Sequence, residues 1–279
     1  MYKRYTTIAG RTIITRCTCS TRVKTEQKGR KPRTNPTPEA VARINRINQE
    51  RDLTAKINHN FGPGDLWVTL TYSEILPVEE AMETIARFKR SLRGLCRRRG
   101  IELKMIESTG IGERSGKPHH HIVLSGEVTR DMLLRYWPEH QVHQEVLWSD
   151  GNYRRIANYM LRNAQQTKDR RGKNVRAYRC TRSIVTPQTR VETMKRIMDL
   201  DPEDLPARKG YSIDRDSIRI YEHAITEAVC CEYIEVSIGE EPRLKRYNKG
   251  RPAPRERIYP EEWDEQMIME VIDQWTEGA

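Results

Sequence analysis

The densest chemistry in the chain lies in Lys117-Pro118-His119-His120-His121-Ile122-Val123-Leu124. The stretch reads as a β-strand, in which alternate side chains share a face. His119 and His121 then point one way, and His120 points the other way with Ile122 and Leu124. Two imidazoles on one face can hold one divalent ion. A hard ion such as Mg²⁺ or Mn²⁺ also asks for oxygen ligands. The run from Ile101 to Ser108 reads as the preceding strand, and a hairpin over 101–124 would lay Glu107 beside the histidines. Glu107 is therefore the expected third ligand, with Glu113 of the intervening loop as runner-up. The plain alternative is a run of solvated or structurally satisfied histidines.

A nucleophile candidate comes from the helix expected to open at Asn152 and run to about Gln165. Tyr159 is followed by Arg162 and Asn163 at i+3 and i+4, on its own face. A tyrosine can form a covalent phosphodiester intermediate when a nearby cation and a Lewis-acidic metal stabilise the phenolate and the phosphate. Tyr153 stands six residues earlier, about 240° round the helix, and cannot share that face. Either tyrosine taken alone is also a plausible packing residue. Gly112-Glu113-Arg114-Ser115-Gly116-Lys117-Pro118 only superficially resembles a phosphate loop. Its glycine spacing is one residue short, and Pro118 stands where Ser or Thr must bind magnesium.

The elements that would position these groups follow from periodicity and punctuation. Thr37 suits an N-cap, Pro38 the first helical position, and Val41, Ile44, Ile47, Leu53 and Ile57 form an apolar helical face. Gly62-Pro63-Gly64-Asp65 is a turn, and Leu66–Tyr72 is β-branched and aromatic, hence a strand. A helix returns at Glu79, with Met82, Ile85, Phe88, Leu92 and Leu95 on one face, and ends near Gly100. After the two central strands come a short helix at 129–137 and a strand at 141–148. The order from 66 to 148 is βαββαβ. The fold class expected is α+β, a ferredoxin-like antiparallel sheet with helices on one face and the other free for a site. Tyr178–Val185 reads as one more strand. Beyond Leu200, short strands at Ile218–Tyr221 and Tyr233–Ser237 precede an amphipathic helix around Trp263, Met267, Val271 and Trp275.

Charge supplies the partner. Residues 1–35 carry ten Lys/Arg against Glu26, and residues 151–196 carry thirteen against Asp169 and Glu192, whereas 197–279 hold twenty acids against eleven Lys/Arg. Two basic segments suit a nucleic-acid binder, because phosphate contacts supply most non-specific affinity. The chain thus divides into a basic arm over 1–36, a catalytic domain over 37–196 and an acidic accessory region over 197–279. No apolar run approaches a transmembrane span and the N-terminus lacks a signal-peptide core, so the expected location is the cytoplasm, with no membrane partner. The six cysteines show no C-x-x-C spacing and are expected as thiols; Cys17 and Cys19 are weak metal candidates.

Three stretches together carry a resemblance. Val68-Thr69-Leu70-Thr71-Tyr72, then Pro118-His119-His120-His121-Ile122-Val123, then Tyr159-Met160-Leu161-Arg162 occur in the order of the motifs of HUH endonucleases. Those are the rolling-circle initiators and relaxases of plasmids, phages and mobile elements. The chain resembles particularly the compact initiators of small phages and integrative elements, over roughly residues 66–187. His120 fills the family's hydrophobic slot, and Arg162 replaces its lysine, keeping the charge but changing its geometry.

The resemblance implies that a metal held by His119, His121 and Glu107 polarises a scissile phosphate in single-stranded DNA at a replication origin. Tyr159 would attack it, leaving a 5′-phosphotyrosine and a free 3′-OH, with Arg162 steadying phosphate or phenolate. No nucleotide cofactor is implied. The basic arm and the Lys168–Arg182 segment would hold DNA, and the acidic region could dock a host helicase or other replication proteins. Two other readings stand beside this one. A conjugative relaxase or single-strand transposase would use the same chemistry. A non-enzymatic binder of single-stranded DNA or RNA would want exposed aromatics where the central strand here offers histidines.

Overall fold

The structure, a computed structural model, describes residues 2–19, 37–112, 115–137, 141–171, 176–194, 205–223 and 228–239. In chain order the elements are β1 (Tyr2–Ala9), β2 (Thr12–Cys19), α1 (Pro38–Asn60), β3 (Leu66–Thr71), α2 (Val78–Arg98), β4 (Met105–Ile111) and β5 (Pro118–Leu124). They continue with α3 (Arg130–Leu134), β6 (Gln141–Val146), α4 (Arg154–Arg171), β7 (Arg179–Cys180), β8 (Thr189–Met194), β9 (Tyr211–His223) and β10 (Ala228–Ser237). They fall into two compact units. One contains residues 60–149 and 155–185; the other contains 1–59, 150–154 and 186–245.

The 60–185 unit is built on an antiparallel sheet of strand order β6-β3-β5-β4-β7. Every residue of β3, β4 and β5 is buried, whereas β6 at the edge exposes Gln141 and Val146. One face is covered by α2, whose buried residues Ala81, Ile85, Phe88, Leu92, Leu95 and Cys96 recur every three or four positions. They share a core with Leu70, Ile122, Leu124 and Trp137. The Thr129 side chain accepts the Met132 N–H at the start of α3, which turns Met132 and Leu133 into that core.

The second face departs from expectation. It is not open: α4 lies over it, with Tyr159 against His121 and Asn163 against His119. The central strands are buried on both faces for that reason, which also explains why they read as continuous apolar runs rather than alternating ones. Two boundaries also move. β4 begins four residues later than the expected strand, and the strand expected at 178–185 shrinks to the Arg179–Cys180 pairing with Ile106 and Glu107.

The other unit holds a second antiparallel sheet, ordered β8-β1-β2-β10-β9. Residues 2–19, assigned by their charge to a basic arm, instead form the β1–β2 hairpin. Charge density hid the alternation of Ile13, Thr15 and Cys17, which is a strand signal. Gly10 makes the turn at φ +57°, and a Cβ there would lie 2.0 Å from the Asn58 carbonyl oxygen. α1 packs on this sheet through Ile44, Ile47 and Ala55, which meet Tyr221, Cys230, Ile14 and Ile234. Strands of the acidic region pair directly with strands of the arm, so one sheet draws on both sequence segments. All six cysteines are free thiols. The segment 20–36, Glu113 and the helix expected around Trp263–Trp275 lie outside the described residues, as do parts of the basic 168–182 segment.

Candidate active site

Strand alternation does what the histidine spacing demands. His119 and His121 face α4, their ring centroids 4.7 Å apart. His120 faces α2 and is fully buried. The Tyr72 hydroxyl donates to the Ala81 carbonyl at 3.0 Å, so its oxygen must accept from His120 Nε2–H at 2.8 Å. His120 Nδ1 then accepts from the Thr109 hydroxyl at 2.9 Å. His120 is thus a satisfied core residue that ties β5 to β4 and to the start of α2.

His121 stacks on Trp67 with centroids 5.2 Å apart and planes 4° from parallel, while the Tyr159 ring meets it edge-on at 4.7 Å. The Thr69 hydroxyl lies 3.2 Å from His121 Nδ1 and fixes the ring from behind. His121 Nε2 is buried and has no hydrogen-bond partner among the described residues. His119 Nε2 lies 3.3 Å from Asn163 Oδ1, and the Asn163 amide donates to the Tyr159 carbonyl one turn earlier. Burial lowers the pKa of all three histidines, that of His120 and His121 well below 6.5. Mutual repulsion among the rings adds to the lowering at His120 and His121, whereas hydrogen bonds from Lys117 and Asn163 oppose it at His119. The imidazoles are therefore neutral near pH 7, the protonation state that a metal requires of them.

Gly110 pairs with His119 across β4–β5, and the site leaves it no side chain. A Cβ there would lie 2.6 Å from His119 Nε2 and 2.8 Å from Asn163 Cβ.

Of the residues singled out in the sequence, His119, His121 and Tyr159 come together, and Arg162 stands beside them with its guanidinium carbon 5.4 Å from the Tyr159 ring centroid. Glu107 does not join them. It pairs with Ile122, not with either histidine of the site, and so faces α2. There it is ion-paired with Lys89 and lies 3.8 Å from Arg179. Ser108 is the residue opposite His121, and its hydroxyl is buried without a partner among the described residues. One position of register separates the two outcomes, since successive residues alternate faces. Tyr153 is fully buried in the other unit, its N–H donated to Asn58.

Trp67, Thr69, Asn163 and Gly110 were not assigned roles from sequence. A period of two along Leu66–Thr71 already places Trp67 and Thr69 on one face, and Asn163 already shares a helix face with Tyr159. What was missing was the register that sets them against His119 and His121. Among the described residues no three His, Cys, Asp or Glu side chains cluster around a point, so any oxygen ligands must be of another kind.

Residues 65–168 match the family described as replication-associated protein, of the ORF2 class. This segment is that of a rolling-circle replication initiator of the HUH type. The matched stretch runs from the start of β3 into the last turns of α4, and so contains both histidines, Tyr159 and Arg162. No curated protein and no solved structure gives a match. Among the described residues no helix is long and apolar enough to cross a membrane.

Proposed function

We propose that this protein nicks and rejoins single-stranded DNA at an origin by a metal-dependent tyrosine mechanism, and thereby initiates rolling-circle replication. The observation that carries the reading is the meeting of Tyr159 with a buried, neutral His121 whose Nε2 is unpartnered, on the same strand face as His119. The order of the four strands 141–146, 66–71, 118–124 and 105–111 supports a ferredoxin-like sheet of the HUH type under this site. Replication, rather than conjugation or transposition, is favoured by the family matched.

The residues present fit a divalent ion such as Mg²⁺ or Mn²⁺. His119 and His121 would hold it, and Asn163 Oδ1 takes the oxygen role expected of Glu107. Its 3.3 Å separation from His119 Nε2 suits two ligands of one ion with bonds of roughly 2.1 Å. Bound there, such an ion would supply Lewis-acid polarisation of a phosphate oxygen.

The chain's own residues do the rest. The Tyr159 oxygen attacks phosphorus, the bond to the 3′ oxygen breaks, and the strand is left with a 5′-phosphotyrosine link and a 3′-OH. The proton lost by the phenol balances the one gained by the leaving oxygen. Arg162, exposed at the edge of the Tyr159 ring, meets the charge that develops on phenolate or phosphate. Thr69 keeps the His121 lone pair aimed. Tyr159 is only 3% exposed, so the DNA strand reaches it by a local movement of α4 or of the side chain.

The test is incubation with labelled single-stranded origin DNA and Mn²⁺, followed by a denaturing gel. A covalent adduct abolished by Tyr159→Phe and by His121→Ala, and retained by Tyr153→Phe, is the expected result. An adduct that survives Tyr159→Phe would move the nucleophile. Tight binding with no adduct on any origin strand would leave a non-enzymatic DNA-binding protein.

A further inference from the structure

The second sheet carries a feature that the nicking site does not use. α1 covers the part of one sheet face formed by β2, β10 and β9, through the contacts of Ile44, Ile47 and Ala55. The β8–β1 edge of that face is left beside it as a cleft of about 310 Å³, lined by Tyr5, Thr7, Arg16, Arg51, Thr189 and Val191. We propose that this cleft binds a single strand of nucleic acid, stacking a base on the Tyr5–Arg16 pair and holding its phosphate with Arg16.

Tyr5 and Arg16 are cross-strand partners, and the Arg16 guanidinium lies 4.1 Å from the Tyr5 ring centroid. A guanidinium plane held over an aromatic ring offers its own face to a base while its edge N–H groups remain available to phosphate oxygens. Arg16 Nε is buried and has no hydrogen-bond partner among the described residues, so one of those donors is unspent.

The charge is also unbalanced in favour of an anion. On this face β1, β2 and β8 carry no carboxylate, because Glu192 of β8 lies on the opposite face, paired with Arg4 and Arg190. Glu232 stands opposite Arg16 in the register, but Arg51 and the Tyr221 hydroxyl already engage its carboxylate. Glu50, farther under α1, is held by Arg154 and Arg219. Among the described residues, Arg16 is thus the cation of this network without a counterion. The hydrogen-bonded hydroxyls of Thr7 and Thr189, 2.7 Å apart, and the half-exposed Val191 give the rest of the wall a polar and an apolar patch, as a sugar and a base require.

A single strand is favoured over a duplex by shape. The cleft is a narrow slot of one aromatic platform at a sheet edge, whereas duplex reading needs a helix or ribbon presented to a groove.

The experiment uses the full chain without added metal, so that no cleavage intervenes. Anisotropy of a fluorescein-labelled oligothymidine of roughly 20 nucleotides, longer than one binding site, is followed from low to moderate salt. Arg16→Gln is expected to weaken binding severalfold and to lower the salt slope by about 0.7, the loss of one phosphate contact to a single strand. Tyr5→Ala is expected to weaken binding about tenfold with the slope unchanged, and Tyr5→Trp to restore it. Photocrosslinking of an iododeoxyuridine-substituted strand is expected to label peptides from residues 2–16. Binding and slope unchanged in Arg16→Gln and Tyr5→Trp, with crosslinks confined to 60–185, would overturn the proposal, as would competition by duplex of equal length at lower concentration. Should Tyr5→Ala fail to fold, Arg16→Gln and the crosslink decide. Failure of covalent nicking at Tyr159 would leave this result untouched, because the measurement contains no chemical step.

Discussion

Gly110→Ala probes the site at its tightest point. The added methyl carbon would lie 2.6 Å from His119 Nε2 and 2.8 Å from Asn163 Cβ, where ordinary contact begins at 3.4 Å. Relief requires His119, or α4 with Asn163, to retreat by roughly 0.8 Å, and neither is the free end of a flexible chain: the ring is buried and Asn163 is bonded to its own helix. Overpacking of this kind costs about 1–3 kcal/mol of stability. The catalytic cost should be larger in proportion, since displacement of a reacting constellation by about 1 Å removes on the order of 10²-fold in rate. The assay is single-turnover adduct formation at a temperature where circular dichroism shows the variant folded, with thermal melts alongside. A melt lowered by a few degrees with adduct formation slowed ten- to a hundredfold is expected. A folded variant that forms adduct within about twofold of the parent rate would refute the idea that the His119–Asn163 contact is part of the working site.

Three further outcomes follow from the same geometry. Thr69→Val removes the hydroxyl that orients His121 while keeping its volume, and should weaken Mn²⁺ binding about 10–100-fold by electron paramagnetic resonance titration. Glu107→Gln leaves Lys89 nearly buried without its carboxylate, so it should lower stability by about 3–5 kcal/mol in denaturant titration while Mn²⁺ affinity stays at the parent value. Metal-free protein should lose stability as pH falls below about 6.5, because the three histidines are neutral in the fold and protonate first in the unfolded chain. Glu145 opposes this: burial raises its pKa to about 7, so stability declines as pH rises from about 4.5 to that value, and Glu145→Gln should steepen the histidine-driven loss in chemical denaturation.

Much of the site could be read from the chain because its signals are local. The alternation of His119, His120 and His121 needs only the two-residue period of a strand, and the Tyr159–Arg162–Asn163 grouping needs only a helical turn. The order of elements from 66 to 148 likewise follows from stretches that declare their own periodicity, which is why β3, α2, β5 and α3 stand close to where they were expected. The 2–19 hairpin was missed for the complementary reason. Its cationic composition suggested a solvated arm, and its strand character is secured by partners that lie more than 170 residues away in the sequence.

The tertiary structure decided what depends on pairing. Whether Glu107 or Ser108 lies under His121 turns on a single step of register between β4 and β5, and no local pattern specifies that step. Packing against α2 does: with Ile122 and Leu124 turned into the core, Glu107 must follow Ile122 and find Lys89, while His121 is left facing α4. The same holds for Gly110 and Asn163, whose roles exist only where α4 meets β4 and β5. Residue types and spacing determined which chemistry this chain could perform. Long-range burial determined which atoms are assembled to perform it, because the free energy of closing a core is set by the whole sheet rather than by any one strand.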